Sequence, residues 1–169
     1  YIQRESDSVH FERIGSAIYG VFTGKPVLLL KCENIDLEKK TCDWYLIDLP
    51  SPISPGSDPK HSLISTVVFR DGKFWLVAAK DVLIFDPISR SHTVLPTSGA
   101  RPNVERFALK QMSGDQYVAY GGFGPLLHSN ALFFFDTKLC RWYQSHRSGV
   151  TPRPRSLHPG AVVTLPCNH

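Results

Sequence analysis

The chain has 169 residues, 42% of them apolar, and 19 Lys and Arg against 15 Asp and Glu give it a formal charge of +4. That apolar content is enough for a packed core and excludes a disordered chain, while the scattered basic residues form no stripe that nucleic acid could follow. No apolar run nears the ~20 residues that span a bilayer, and no basic-then-apolar leader opens the sequence, so neither nucleic acid nor a membrane is expected as a partner.

Cys32, Cys42, Cys140 and Cys167 have neither CxxC spacing nor the density of a disulfide scaffold, so reduced thiols are expected. No Asn-x-Ser/Thr sequon occurs, which favours an intracellular setting, cytoplasmic with the nucleus as the alternative.

Taken in order, the first ten residues are polar and without period, a lead-in or the end of a preceding outer strand. From Phe11 the pattern becomes strand-like. Residues 17–22 form a strand, Gly24-Lys25-Pro26 turns, and residues 27–30 form a continuous apolar strand. The next stretch, ENIDLEKKTCDWYLIDLP (residues 33–50), has helical composition but superposes on the later FFFDTKLCRWYQ. That register lays Glu38 on Asp136, Cys42 on Cys140, Trp44 on Trp142 and Tyr45 on Tyr143. IFDPISRSHTVL fits the same frame with Asp86 at the acidic position and His92 at the tryptophan.

Glu38, Asp86 and Asp136 are spaced 48 and 50 residues apart, an internal period near 50 that points to a repeat architecture. Carboxylates after a third strand are expected to accept hydrogen bonds from the amides of the following turn. Gly24-Lys25, Gly72-Lys73 and Gly114-Asp115 are read as turns between first and second strands, where glycine supplies positive φ. Between the units lie LPSPISPGSDPK (residues 49–60), LPTSGARPNVE (95–105) and SGVTPRPRSLHPG (148–160). Their Pro, Ser and Gly content suits crossings from one unit's outer strand to the next unit's inner strand.

The stretch YVAYGGFGPLLHSNALFFFDTKLCRWY (residues 117–143) carries the clearest signal. Its strand ending in Gly121-Gly122, its apolar run closed by Asp136, and Trp142 opening the next strand resemble the kelch repeat of β-propellers. The likeness is weaker in the first unit, which has Trp44 but Lys31-Cys32 at the diglycine position, and in the second, which has Ala78-Ala79.

This resemblance implies an all-β, kelch-type β-propeller segment of four-stranded antiparallel blades. The blades are expected at residues 11–50, 60–96 and 104–147, with a further blade starting over 154–169 and its inner strand at 161–165. Propellers close with more blades than this length holds, so the remaining blades of a longer parent chain are expected partners. The resemblance also implies structural roles: Gly121 and Gly122 for close backbone approach, Trp44 and Trp142 for packing between blades, and Arg13, Arg106 and Arg155 as recurring residues at blade starts that bind backbone carbonyls. Trp75 is expected in the core.

Candidate chemistry is sparse. The seven histidines have no pair at zinc-site spacing, and only His158, Cys167 and His169 come together, at a chain terminus without fixed geometry. Ser62 beside His61 is adjacency, and no Gly-x-Ser-x-Gly elbow occurs. Neither a catalytic residue, a metal nor a cofactor is expected.

The leading reading is a protein–protein interaction module, such as a ubiquitin-ligase adaptor or a signalling or cytoskeletal scaffold. Its alternative is a catalytic propeller of the galactose-oxidase or sialidase kind, completed by blades outside this chain. The expected binding residues are Phe123, Leu126, Leu127 and His128, because the loop over residues 123–130 is apolar and long, and loops on rigid sheets carry recognition. Residues 33–40 are expected on the same face, contacting the same protein partner.

Overall fold

The computed structural model describes residues 9–23, 27–47, 64–124, 127–146 and 152–156. Every regular element among them is a β-strand, as short apolar runs bounded by turn residues dictate. The chain forms two compact units, Tyr1–Leu95 and Pro96–His169.

In the first unit, β1 (Val9–Ile14), β2 (Ala17–Phe22), β3 (Leu28–Asp36) and β4 (Thr41–Ile47) form one four-stranded sheet in that order. A second follows with β5 (Thr66–Arg70), β6 (Lys73–Val77), β7 (Asp81–Phe85) and β8 (His92–Pro96). The core lies between the two sheets. Ala17, Tyr19, Val21, Leu29 and Ile47 of the first meet Val67, Phe74, Leu76, Leu83 and Phe85 of the second. Alternation along each strand selects these faces, since successive side chains point to opposite sides. Tyr19 and Phe74 pack with ring centroids 6.1 Å apart.

The second unit holds β9 (Ser98–Gly99), β10 (Ala108–Ser113), β11 (Gln116–Tyr120), β12 (Leu132–Asp136) and β13 (Arg141–Gln144). Its order is β10-β11-β12-β13-β9. The sequence pattern did not indicate β9. This part of the crossing segment runs parallel to β13, with Ser98 opposite Arg141 and Gly99 opposite Trp142, so it covers an edge that would otherwise present unpaired amides and carbonyls. Gly99 is required there: at φ 78° a Cβ would lie 2.2 Å from the Trp142 carbonyl oxygen.

Each third-to-fourth hairpin is closed by an aspartate. Asp36 Oδ1 accepts from the amides of Glu38 and Lys39, Asp86 Oδ1 from Ile88 and Ser89, and Asp136 Oδ1 from Leu139. The first unit's acidic position is therefore Asp36 and not Glu38, whose own amide is one of the donors. Lys40, Arg90 and Cys140 complete these turns with positive φ of 56°, 57° and 47°.

The frame of the first sheet needs three further corrections. Its first-to-second turn is at Gly15, since Ile14 pairs with Ala17; Gly24-Lys25 falls between β2 and β3, outside the described residues. Lys31-Cys32 is mid-strand in β3, and Thr23 follows β2 as Gly121 follows β11. Arg13 lies within β1, opposite Ile18, whereas Arg106 precedes β10. These shifts share one cause. β1 carries polar residues on a half-exposed strand and shows no apolar run, so a count from apolar runs passes over it and takes each later strand of the sheet for the one before.

Trp142 is 1% exposed, held between Phe107 and Phe135 at 5.4 and 4.5 Å. Trp44 stands opposite Cys32 as Trp142 stands opposite Phe135, but it is 50% exposed. The expected packing of Trp44 is not realised within its unit, because the sheet face carrying it, with Phe11 and Leu46 also exposed, is the one turned away from β5–β8. Trp75 is half-buried, with Arg70 5.9 Å over its ring. The expected strand at residues 161–165, His61-Ser62, and His158, Cys167 and His169 lie outside the described residues.

Two outcomes follow from this packing. Trp142→Ala should cost about 3–5 kcal/mol in urea denaturation, as for a large buried aromatic, while Trp44→Ala costs clearly less; equal losses would overturn the assignment. The second outcome concerns acid. The Lys39 amide holds the Asp36 carboxyl below its usual range, and the amides of Ser89 and Ile88 do the same for Asp86. A depressed folded-state value stabilises above the ordinary carboxylate pKa of about 3.9 and is lost as pH falls through the folded value. Asp86→Asn keeps the acceptor but cannot titrate, so its denaturation midpoint should fall less steeply than wild type below about pH 4.

Candidate functional site

The connection between β11 and β12 is the long one. β6 and β7 are joined through Ala78, Ala79 and Lys80, whereas residues 121–131 separate Tyr120 from Leu132. Loops of this length are costly to hold in one shape, yet the backbone here is tied at many points. Gly121 N–H donates to Ala131 O at 3.1 Å, Ser129 N–H to Gly122 O at 2.7 Å, and Gly124 N–H to Leu127 O at 3.0 Å. Ser129 Oγ also accepts from the Ala131 amide at 2.9 Å.

Two distant segments complete the scaffold. Phe123 and Glu105 exchange amide–carbonyl bonds of 2.7 and 2.9 Å, a one-residue antiparallel bridge. On the other side Gly122 N–H donates to Arg155 O at 2.8 Å and Arg155 N–H to Ser129 O at 3.1 Å. The Tyr120 hydroxyl donates to Pro152 O at 2.8 Å. Glu105, residues 121–124 and 127–131, and residues 152–156 thus form one hydrogen-bonded cluster within the second unit.

The diglycine permits this approach. Gly121 and Gly122 have φ of 75° and 104°, and a Cβ on Gly122 would stand 2.7 Å from Glu105 O and 2.8 Å from Val104 Cγ2. Both the conformation and the space exclude a side chain.

On this scaffold Phe123 is 43% exposed and Leu127 76% exposed. Phe123 packs edge-on against the His128 imidazole at 5.2 Å, and His128 Nδ1 lies 3.0 Å from Ser156 Oγ. Phe123, Leu127 and His128 therefore come together; Leu126 lies outside the described residues. Arg155 joins them through its backbone, and its side chain turns to Arg153 O at 3.2 Å. Arg13 similarly donates to Gly15 O at 3.2 Å in the first unit.

Sequence reasoning missed Glu105, Tyr120, Ser129 and Ser156, because what recruits them is pairing across long separations. The one available hint was the second glycine, which implies that some backbone comes close. Residues 33–40 belong to the first unit, at the end of β3 and in the β3–β4 turn, so in their own sheet they form the third-to-fourth connection and not the second-to-third.

The Ser156–His128 contact has no carboxylate orienting the imidazole among the described residues, so it lacks the third member of a nucleophilic relay. No group of three or more His, Cys, Asp or Glu able to hold a metal occurs among the described residues.

No family model matches the chain, and no curated protein matches it in sequence. A solved structure named YjhT is similar in fold, with a TM-score of 0.58 and 15% sequence identity over 90% of this chain. The chain spans 54% of that structure's length. At this identity the likeness carries the all-β, antiparallel-sheet fold and nothing about activity.

Gly122→Ala should destabilise the second unit by more than about 1 kcal/mol, because it adds a clash to a positive φ. Gly114→Ala, with φ 48° but open space around it, should cost less. Urea denaturation of the two variants side by side checks the order.

Proposed function

We propose that this chain is a segment of a kelch-type β-propeller and that its 121–131 loop binds another protein. The period near 50, the repeated four-stranded antiparallel sheets and the Gly121-Gly122 turn support the propeller reading. One observation carries the binding reading: Leu127 is 76% exposed and Phe123 43% exposed on a loop whose backbone is pinned from both sides. A pinned loop has already met its ordering cost, so a partner gains the burial of apolar side chains without first fixing the chain. Leu127 facing water also argues against the loop serving as packing for its own sheet.

The module so described needs no cofactor and acts by presenting a surface, as an adaptor or scaffold in the cytoplasm does. The identity of the partner protein enters through the loop's chemistry alone: an apolar pocket for Phe123 and Leu127, rimmed by groups that accept from His128.

The test uses the full-length protein carrying Phe123→Ser and Leu127→Ser together. The expected result is at least a tenfold loss of cross-linked partner capture, corresponding to about 1.4 kcal/mol, with the melting temperature unchanged. A lowered melting temperature with capture retained assigns these side chains to packing and ends the binding reading.

A further inference from the structure

Cys32 and Cys42 lie on neighbouring strands of the first sheet. Cys32 pairs opposite Trp44, and Cys42 precedes Trp44 by two residues on β4, which puts both cysteines on the same face as a diagonal pair. Their thiols are within hydrogen-bond reach of one another. The bulge between Glu33 and Asp36 sharpens the local twist at this point.

The position of Cys32 within the repeat is informative. It faces Ile18 on β2, as Phe85 faces Phe74 on β6 and Phe135 faces Tyr117 on β11. Phe85 and Phe135 are fully buried at these sites. The first sheet has a thiol where the other two have a large aromatic, and it places a second thiol against it.

The two differ in access. Cys32 is buried and Cys42 exposed. Burial, first, and the contact with Cys42, second, push the Cys32 thiol up to about 11, so it keeps its proton near neutrality. Cys140, by contrast, donates to Thr137 O at 3.6 Å within its own turn.

We propose that Cys32 and Cys42 are a redox modification site, closing into a reversible cross-strand disulfide when the protein meets a peroxide. Cys42, the accessible sulfur, attacks as thiolate on one peroxide oxygen; the O–O bond breaks, giving the Cys42 sulfenic acid and hydroxide. Cys32 sulfur then attacks the Cys42 sulfur. The S–S bond forms, the S–OH bond breaks, and the departing hydroxide takes the Cys32 proton as water. A small dithiol restores both thiols by exchange. The crosslink fixes β3 to β4 next to the hairpin whose tip carries Leu37, 83% exposed.

The experiment treats the 169-residue chain with hydrogen peroxide, blocks remaining thiols with an alkylating agent, and measures intact mass and peptides without reduction. The expected result is a loss of about 2 Da before alkylation, the two thiol hydrogens. Two of the four cysteines should become unavailable, with a Cys32–Cys42 linked peptide that dithiothreitol removes. Cys42→Ser, at an exposed position, should abolish the crosslink while leaving the melting temperature unchanged, and Cys140→Ser should leave the crosslink intact. Accumulation of Cys42 sulfinic acid, a link from Cys42 to Cys140 or Cys167, or a crosslinked dimer would each overturn the proposal.

Discussion

Burial of one aromatic pair across the second and third strands sets the register of each well-packed sheet. Phe74 faces Phe85, and Tyr117 faces Phe135, all at most 2% exposed. A slip of one residue would turn these rings to the opposite face and bring their neighbours inward, so register and core are the same decision. Trp142 then adds a third ring beside Phe135, and the Asp136 turn follows directly from where that strand must end. In the first sheet the corresponding pair is Ile18 and Cys32. It is smaller, and the sheet around it departs most from the others, with a bulged third strand and a longer hairpin.

This difference explains which parts of the fold could be read from sequence. β2 was read to its observed bounds, and the third unit's strands, its diglycine and its tryptophan were visible because their chemistry is local: apolar alternation, positive φ and a capped turn. The Asp86 and Asp136 turns were visible for the same reason. Asp36 was not, since the β3–β4 hairpin runs two residues further past Trp44 than the β12–β13 hairpin runs past Trp142, the turn pair being Asp36 and Thr41 in one and Asp136 and Arg141 in the other. Matching Trp44 to Trp142 therefore forced Glu38 onto the acidic position. Gly15 was overlooked because β1 alternates polar residues on a half-exposed strand and shows no apolar run.

The candidate site divides in the same way. Phe123, Leu127 and His128 were identifiable from a long apolar loop after a diglycine. Their supports, Glu105 and Ser156, lie far along the chain, and only the fold brings them into contact. The loop holds its shape because backbone donors and acceptors from three segments satisfy one another, and few of those partners depend on side-chain identity. Substitution at the exposed rings can therefore change what the loop touches while the frame beneath it stays constant.

The parallel pairing of β9 with β13 also governs how this chain tolerates being cut. β9 comes just before β10 in sequence, yet β10 and β9 occupy opposite edges of the same sheet. The chain must therefore travel the full width of the sheet between Gly99 and Ala108 before laying down the first strand. A protease cleaving in that stretch would sever a strap that joins both margins, and the short segment left on β13 would be held by few bonds. Boundaries for an expressible fragment of the second unit accordingly belong before Ser98, although the strand pattern by itself would suggest starting near Arg106.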